Sequence, residues 1–83
     1  MKDFGLGREY VVLGRTLRET RQREGVTQVE LAERLAQTQS YISKCERGGV
    51  RLDFVHVRGI CLALGVPFSE FVRRFEAALQ RQK

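Results

Sequence analysis

The chain has 83 residues, with 15 Lys+Arg against 10 Asp+Glu, a formal net charge of +5, 42% hydrophobic and 30% charged residues. That length holds one small domain and excludes a multi-domain enzyme, and the apolar content excludes wholesale disorder. No apolar run approaches the roughly 18 residues of a membrane span and no charged start leads into an apolar signal region, so the expectation is a soluble, cytoplasmic protein.

The single histidine, His56, removes most histidine-based catalytic constellations. No nucleophile–base pair or metal cluster is apparent, so neither catalysis nor a cofactor is expected. Of the basic residues 12 are arginine, whose fork suits phosphates and guanine edges; arginine is also an ordinary surface helix residue, so charge alone decides little. Cys45 and Cys61 read as two free, buried thiols. With His56 they match no common zinc spacing.

Residues 1–7, with Gly5 and Gly7, read as a flexible N-terminal arm, 8–80 as a single domain and 81–83 as a basic tail. From Arg8 to Glu24, Leu13 and Leu17 sit four apart while Arg15, Arg18, Glu19 and Arg23 fall on other faces. This is a helical pattern stopped by Gly25. Thr27 has Glu30 three positions on, the capping-box spacing, before the apolar Leu31, Ala32 and Leu35. After a break at Ala36-Gln37, Thr38 caps a third helix over 39–47, ended by Gly48-Gly49. Asp53 caps a fourth over 54–64, ended by Gly65. Pro67 and Ser69 open a fifth over 69–79. The fold class is all-α, five helices with no strand.

Two short capped helices meeting across a tight turn, Thr27 to Gly48, make a helix-turn-helix arrangement. On a wheel, Ile42 and Cys45 of the third helix face inward. Ser40, Ser43, Lys44 and Arg47 face outward, with Gln39 leading. The outward face carries no acid, whereas a merely solvated face usually mixes both signs. A face entering a DNA groove cannot hold carboxylates beside phosphates and needs side chains that reach base edges.

The run from Thr27-Gln28-Val29-Glu30-Leu31-Ala32 to Ser43-Lys44-Cys45-Glu46-Arg47-Gly48, continued by Arg51-Leu52-Asp53 and Ala63-Leu64-Gly65-Val66, resembles the lambda-repressor/Cro-like (XRE) helix-turn-helix family. The resemblance covers about Leu13 to Phe75. It implies that Gln39, Ser40, Ser43 and Lys44 read base edges in the major groove. It implies that Gln28, Tyr41, Arg47 and Arg51 hold phosphates. It further implies an ion pair between Arg21 and Glu46, and a small residue, Ala32, where the two helices touch. One position departs from the pattern: the residue closing the second helix is usually glycine and is Ala36 here, which costs roughly 1 kcal/mol if the backbone is left-handed.

Phe68, Phe71, Val72, Phe75 and Leu79 form an apolar stripe on the last helix. Leu13, Leu17, Leu31, Leu35, Ile42, Leu62 and Leu64 already supply a core, so the stripe is expected to face a second copy in a two-fold dimer. The N-terminal Phe4, Leu6, Tyr10 and Val11 are candidates for the same surface. The expected function is a sequence-specific double-stranded DNA-binding transcriptional regulator of prokaryotic, nucleoid-associated type. It would act as a homodimer placing residues 39–47 in the major groove of a palindromic operator. The alternative is a protein-interaction module of the same fold, an antitoxin or adaptor, whose protein partner the residues do not name.

Overall fold

The computed structural model describes residues 6–81. The first helix, α1, spans Leu6–Arg23. It begins inside the stretch read as an arm: Glu9 lies in its first turn, where a carboxylate complements the helix dipole. The rest of that arm, with Phe4, and residues 82–83 of the expected tail lie outside the described residues. The other helices are α2 (Gln28–Arg34), α3 (Gln39–Glu46), α4 (Phe54–Leu64) and α5 (Phe68–Arg81). No strand occurs among the described residues, and no single helix among them is long and apolar enough to cross a membrane.

The first four helices end alike. The backbone N–H of Val26 donates to the Arg21 carbonyl at 3.2 Å, Gln37 to Ala32 at 2.8 Å, Gly49 to Lys44 at 2.9 Å and Val66 to Cys61 at 3.0 Å. The residue just before each of these donors is left-handed: Gly25 (φ 70), Ala36 (φ 55), Gly48 (φ 80) and Gly65 (φ 74). This is the Schellman closure, in which two otherwise unpaired carbonyls of the last turn are satisfied. Glycine occupies it at three ends. At the fourth, the turn keeps the same geometry on an alanine.

The core gathers Leu17 from α1, Leu31 and Ala32 from α2, Ile42 from α3, Val57, Ile60, Cys61 and Leu64 from α4, and Phe71 from α5. Between α4 and α5 the chain bends by 111°, so only part of each apolar stripe is covered. Two expectations are corrected here. Phe71, expected at a dimer face, is 2% exposed in the monomer core, and Leu62, expected in the core, is 63% exposed. On α5, Phe71 and Ala78 are buried, Phe68, Phe75 and Leu79 are half-buried, and Val72 is exposed. Both cysteines are buried and free. Burial pushes the Cys61 thiol up to about 11 and raises the Cys45 thiol as well.

Candidate nucleic-acid interface

Local capping sets up α2 and α3. The Glu30 N–H donates to the Thr27 hydroxyl at 3.0 Å, and the Thr27 N–H donates to the Glu30 carboxylate at 2.8 Å. That backbone donor holds the Glu30 carboxyl below its ordinary range. At α3 the Thr38 hydroxyl accepts from the Tyr41 N–H at 3.1 Å. With both starts capped and the intervening turn closed at Ala36, the entry angle of α3 is set by short-range bonds.

The far end of α3 is anchored to α1. Arg21 Nε donates to Glu46 Oε2 at 2.6 Å and Nη2 to Oε1 at 3.0 Å, and both residues are 8% exposed. The remaining side of the guanidinium donates to the Val26 carbonyl at 2.9 Å. A paired, hydrogen-bonded geometry of this kind is what lets two charges be buried at all. Gly14 makes the approach possible. A Cβ there would lie 2.6 Å from the Glu46 carbonyl oxygen and 2.7 Å from that of Cys45.

From Glu46 the bonding continues toward the front of α3. Gln28 Nε2 donates to Glu46 Oε1 at 2.9 Å, and Gln39 Nε2 donates to Gln28 Oε1 at 2.5 Å. One chain of side chains thus links α1, the end of α3, the start of α2 and the start of α3. Gln28, expected on a phosphate, has its carbonyl and one amide hydrogen committed within this chain.

Gln39, Ser40, Lys44 and Arg47 are exposed. Glu46, the acid of α3, is buried on Arg21, so the exposed face of the helix is free of negative charge. Ser43 is half-buried and its hydroxyl accepts from the Arg47 guanidinium. Tyr41 is half-buried, and burial followed by the neighbouring Cys45 raises its phenol pKa. Arg51 lies over the Tyr10 ring, 5.0 Å from its centroid, which limits its rotamers.

Away from α3, an apolar groove of about 310 Å³ runs between the start of α4 and α5. Phe54, Phe68, Val72 and Phe75 line it, and Phe71 forms its floor. The Phe54 and Phe68 rings meet edge to face at 4.9 Å. Phe54 is 72% exposed and Val72 40%. Leu79, half-buried, is not among the residues lining this groove.

Sequence reasoning missed Gly14, Phe54 and the contact of Tyr10, expected at the dimer surface, with Arg51. A glycine inside a helical pattern costs about 1 kcal/mol against alanine, and that cost was the available signal that Gly14 has a packing reason. Tyr10 and Phe54 gave no comparable signal.

Among the described residues no group of three or more His, Cys, Asp or Glu side chains is placed to hold a metal. A family model described as a helix-turn-helix domain matches residues 12–75. No curated protein sequence matches the chain. Among solved structures, the clp gene regulator ClgR from Corynebacterium glutamicum is 30% identical in each of two crystal structures. One has a TM-score of 0.82 over 89% of this chain and 79% of that one, and the other 0.78 over 84% and 90%. The restriction-modification controller protein C.AhdI from Aeromonas hydrophila is also 30% identical, with a TM-score of 0.70 over 77% of this chain and 97% of that one. With its model match spanning most of the chain and its two capped helices set as described, the protein belongs to the helix-turn-helix domain family and has the fold of the lambda-repressor-like DNA-binding transcriptional regulators.

Proposed function

We propose that the protein is a sequence-specific regulator that binds a palindromic operator as a homodimer, each copy laying α3 in a major groove. The observation that carries this reading is the acid-free outer face of α3, backed by the Arg21–Glu46–Gln28–Gln39 chain. A base-reading side chain must be held in one orientation to discriminate, and Gln39 is so held. Its carbonyl and second amide hydrogen remain for the adenine edge, which takes a glutamine bidentately. Ser40 and Lys44 then read neighbouring edges, Lys44 favouring guanine. Arg47, Arg51 and the remaining amide hydrogen of Gln28 serve phosphates. Ser43 acts by steering Arg47, and Tyr41 borders the phosphate line.

The dimer face is assigned to the apolar groove, with Phe54, Phe68, Val72 and Phe75 in place of the buried Phe71. Two copies related by a two-fold axis would read half-sites about 34 Å apart. Binding of this kind places the protein on the nucleoid. Selection from random duplexes tests the reading directly: a palindrome should be enriched. Lys44→Ala should relax preference at one position per half-site, while Arg47→Ala should weaken all duplexes alike and lower the salt slope by about one. Equal losses on specific and random DNA for both variants would refute the assignment.

A second reading has one specific observation behind it. Val55 and Leu62, seven apart on α4, are 75% and 63% exposed, an apolar stripe outside the dimer groove. A protein-interaction module would use such a stripe, and DNA affinity indifferent to Gln39→Ala and Lys44→Ala would favour it.

A further inference from the structure

A polar cleft of about 130 Å³ between α1 and α5 plays no part in the interface described above. Its walls include Glu19, Thr20 and Arg23 from α1 and Arg74 and Arg81 from α5. Beyond Gln22 the same arginines, Arg23 and Arg81, border a wider mouth of about 550 Å³. Three arginines and one carboxylate, Glu19, therefore line the cleft.

The three arginines differ in how they are held. Arg74 pairs with Glu70 and donates to the Thr20 hydroxyl at 3.3 Å, so it is fixed, and these bonds take two of its five N–H donors. Arg23 and Arg81 are exposed and form no ion pair among the described residues. Glu19 precedes Arg23 by four residues, the spacing at which helix pairs form, yet no bond joins them. Glu70 neutralises Arg74, so against Glu19 the unpaired Arg23 and Arg81 leave the cleft with one net positive charge and with unused donors that an anion can take.

We propose that this cleft binds the phosphate group of a small molecule, with the rest of that molecule in the wider mouth. Guanidinium forks match phosphate oxygens, and a cleft of about 130 Å³ has room for one phosphate group. The location favours a small molecule over DNA. At 100° per residue, Thr16, Glu19, Thr20 and Arg23 lie on the side of α1 opposite Gly14 and Arg21, which meet the end of α3. A bound ligand bridges α5 and the helix that anchors the recognition helix.

Tripolyphosphate is the probe, titrated at constant ionic strength while thermal unfolding is followed. The proposal expects a saturable rise in Tm, of roughly 5–10 °C at ten times the dissociation constant. In Arg23→Gln/Arg81→Gln the affinity should fall at least tenfold, and in the charge-matched Arg18→Gln/Arg58→Gln it should hold. All four side chains are exposed, so both variants are expected to fold. An equal rise in all three proteins, or no saturation, overturns the proposal. So does a loss of DNA affinity in Arg23→Gln/Arg81→Gln with a salt slope lower by about two, which would make these arginines DNA-backbone contacts.

Discussion

Replacing Ala36 by glycine should stabilise the protein. Ala36 sits at φ 55 and is exposed, so the substitution changes backbone energetics and almost no packing. Its own N–H donates to Glu33 at 3.2 Å, and the following Gln37 N–H donates to Ala32 at 2.8 Å. The second bond requires the left-handed conformation at Ala36. An L-residue there costs about 1–2 kcal/mol, which glycine removes. Glycine also gives the unfolded chain extra freedom, costing about 0.4–1 kcal/mol. At the middle of these ranges the net gain is about 0.8 kcal/mol, or a rise in Tm of roughly 3–6 °C for a domain of this size. Thermal and urea unfolding of the two proteins would measure it, and DNA affinity should stay within twofold because neither end of α3 moves. Ala36→Val provides the opposite arm and should lose more than about 1 kcal/mol, since a β-branched side chain tolerates this region worst. A neutral or destabilising Ala36→Gly, or a harmless Ala36→Val, would show that the α2–α3 turn is closed in some other way.

Gly14→Ala should destabilise by about 1–2 kcal/mol in urea unfolding, because the close backbone contact with Glu46 and Cys45 outweighs the gain in helix propensity; a more stable variant would refute the α1–α3 approach. Glu46→Gln leaves Arg21 buried without its counter-charge and should cost about 3–5 kcal/mol, whereas Arg21→Met/Glu46→Leu should recover much of that loss. A cost below about 1 kcal/mol for the single variant would contradict the burial of the pair. Cys61 has a folded pKa of about 11 against an ordinary 9. Its contribution is therefore fully present below pH 9 and lost as pH rises toward 11, by up to roughly 3 kcal/mol. Cys61→Ala should flatten the fall in stability over that window, and an unchanged pH profile would count against the shift. Phe54→Glu should halve the mass measured by sedimentation if the groove is the dimer face, and an unaltered mass would move the interface elsewhere.

Local signals carried much of the fold. Thr27 with Glu30, Thr38 and Asp53 mark the starts of α2, α3 and α4, and Gly25, Gly48 and Gly65 mark ends, because capping bonds span only a few residues and leave their requirements in adjacent positions. The acid-free order of Gln39, Ser40, Lys44 and Arg47 was legible for the same reason: a helix face follows from spacing alone. Tertiary packing decided what spacing could not. The pattern on α5 marks Phe68, Phe71, Val72, Phe75 and Leu79 as apolar, but the angle at which α5 turns away from α4 decides that Phe71 is covered and Val72 is not. The same crossing leaves Leu62 and Phe54 in solvent. The reach of Gln28 to Glu46, the role of Gly14 and the meeting of Arg23 with Arg74 and Arg81 join residues far apart in the chain. Such contacts depend on how helices dock, and no local preference encodes them. Composition alone offered a charge of +5. The fold sorts the basic residues into a recognition face, a buried anchor at Arg21 and a cleft between α1 and α5.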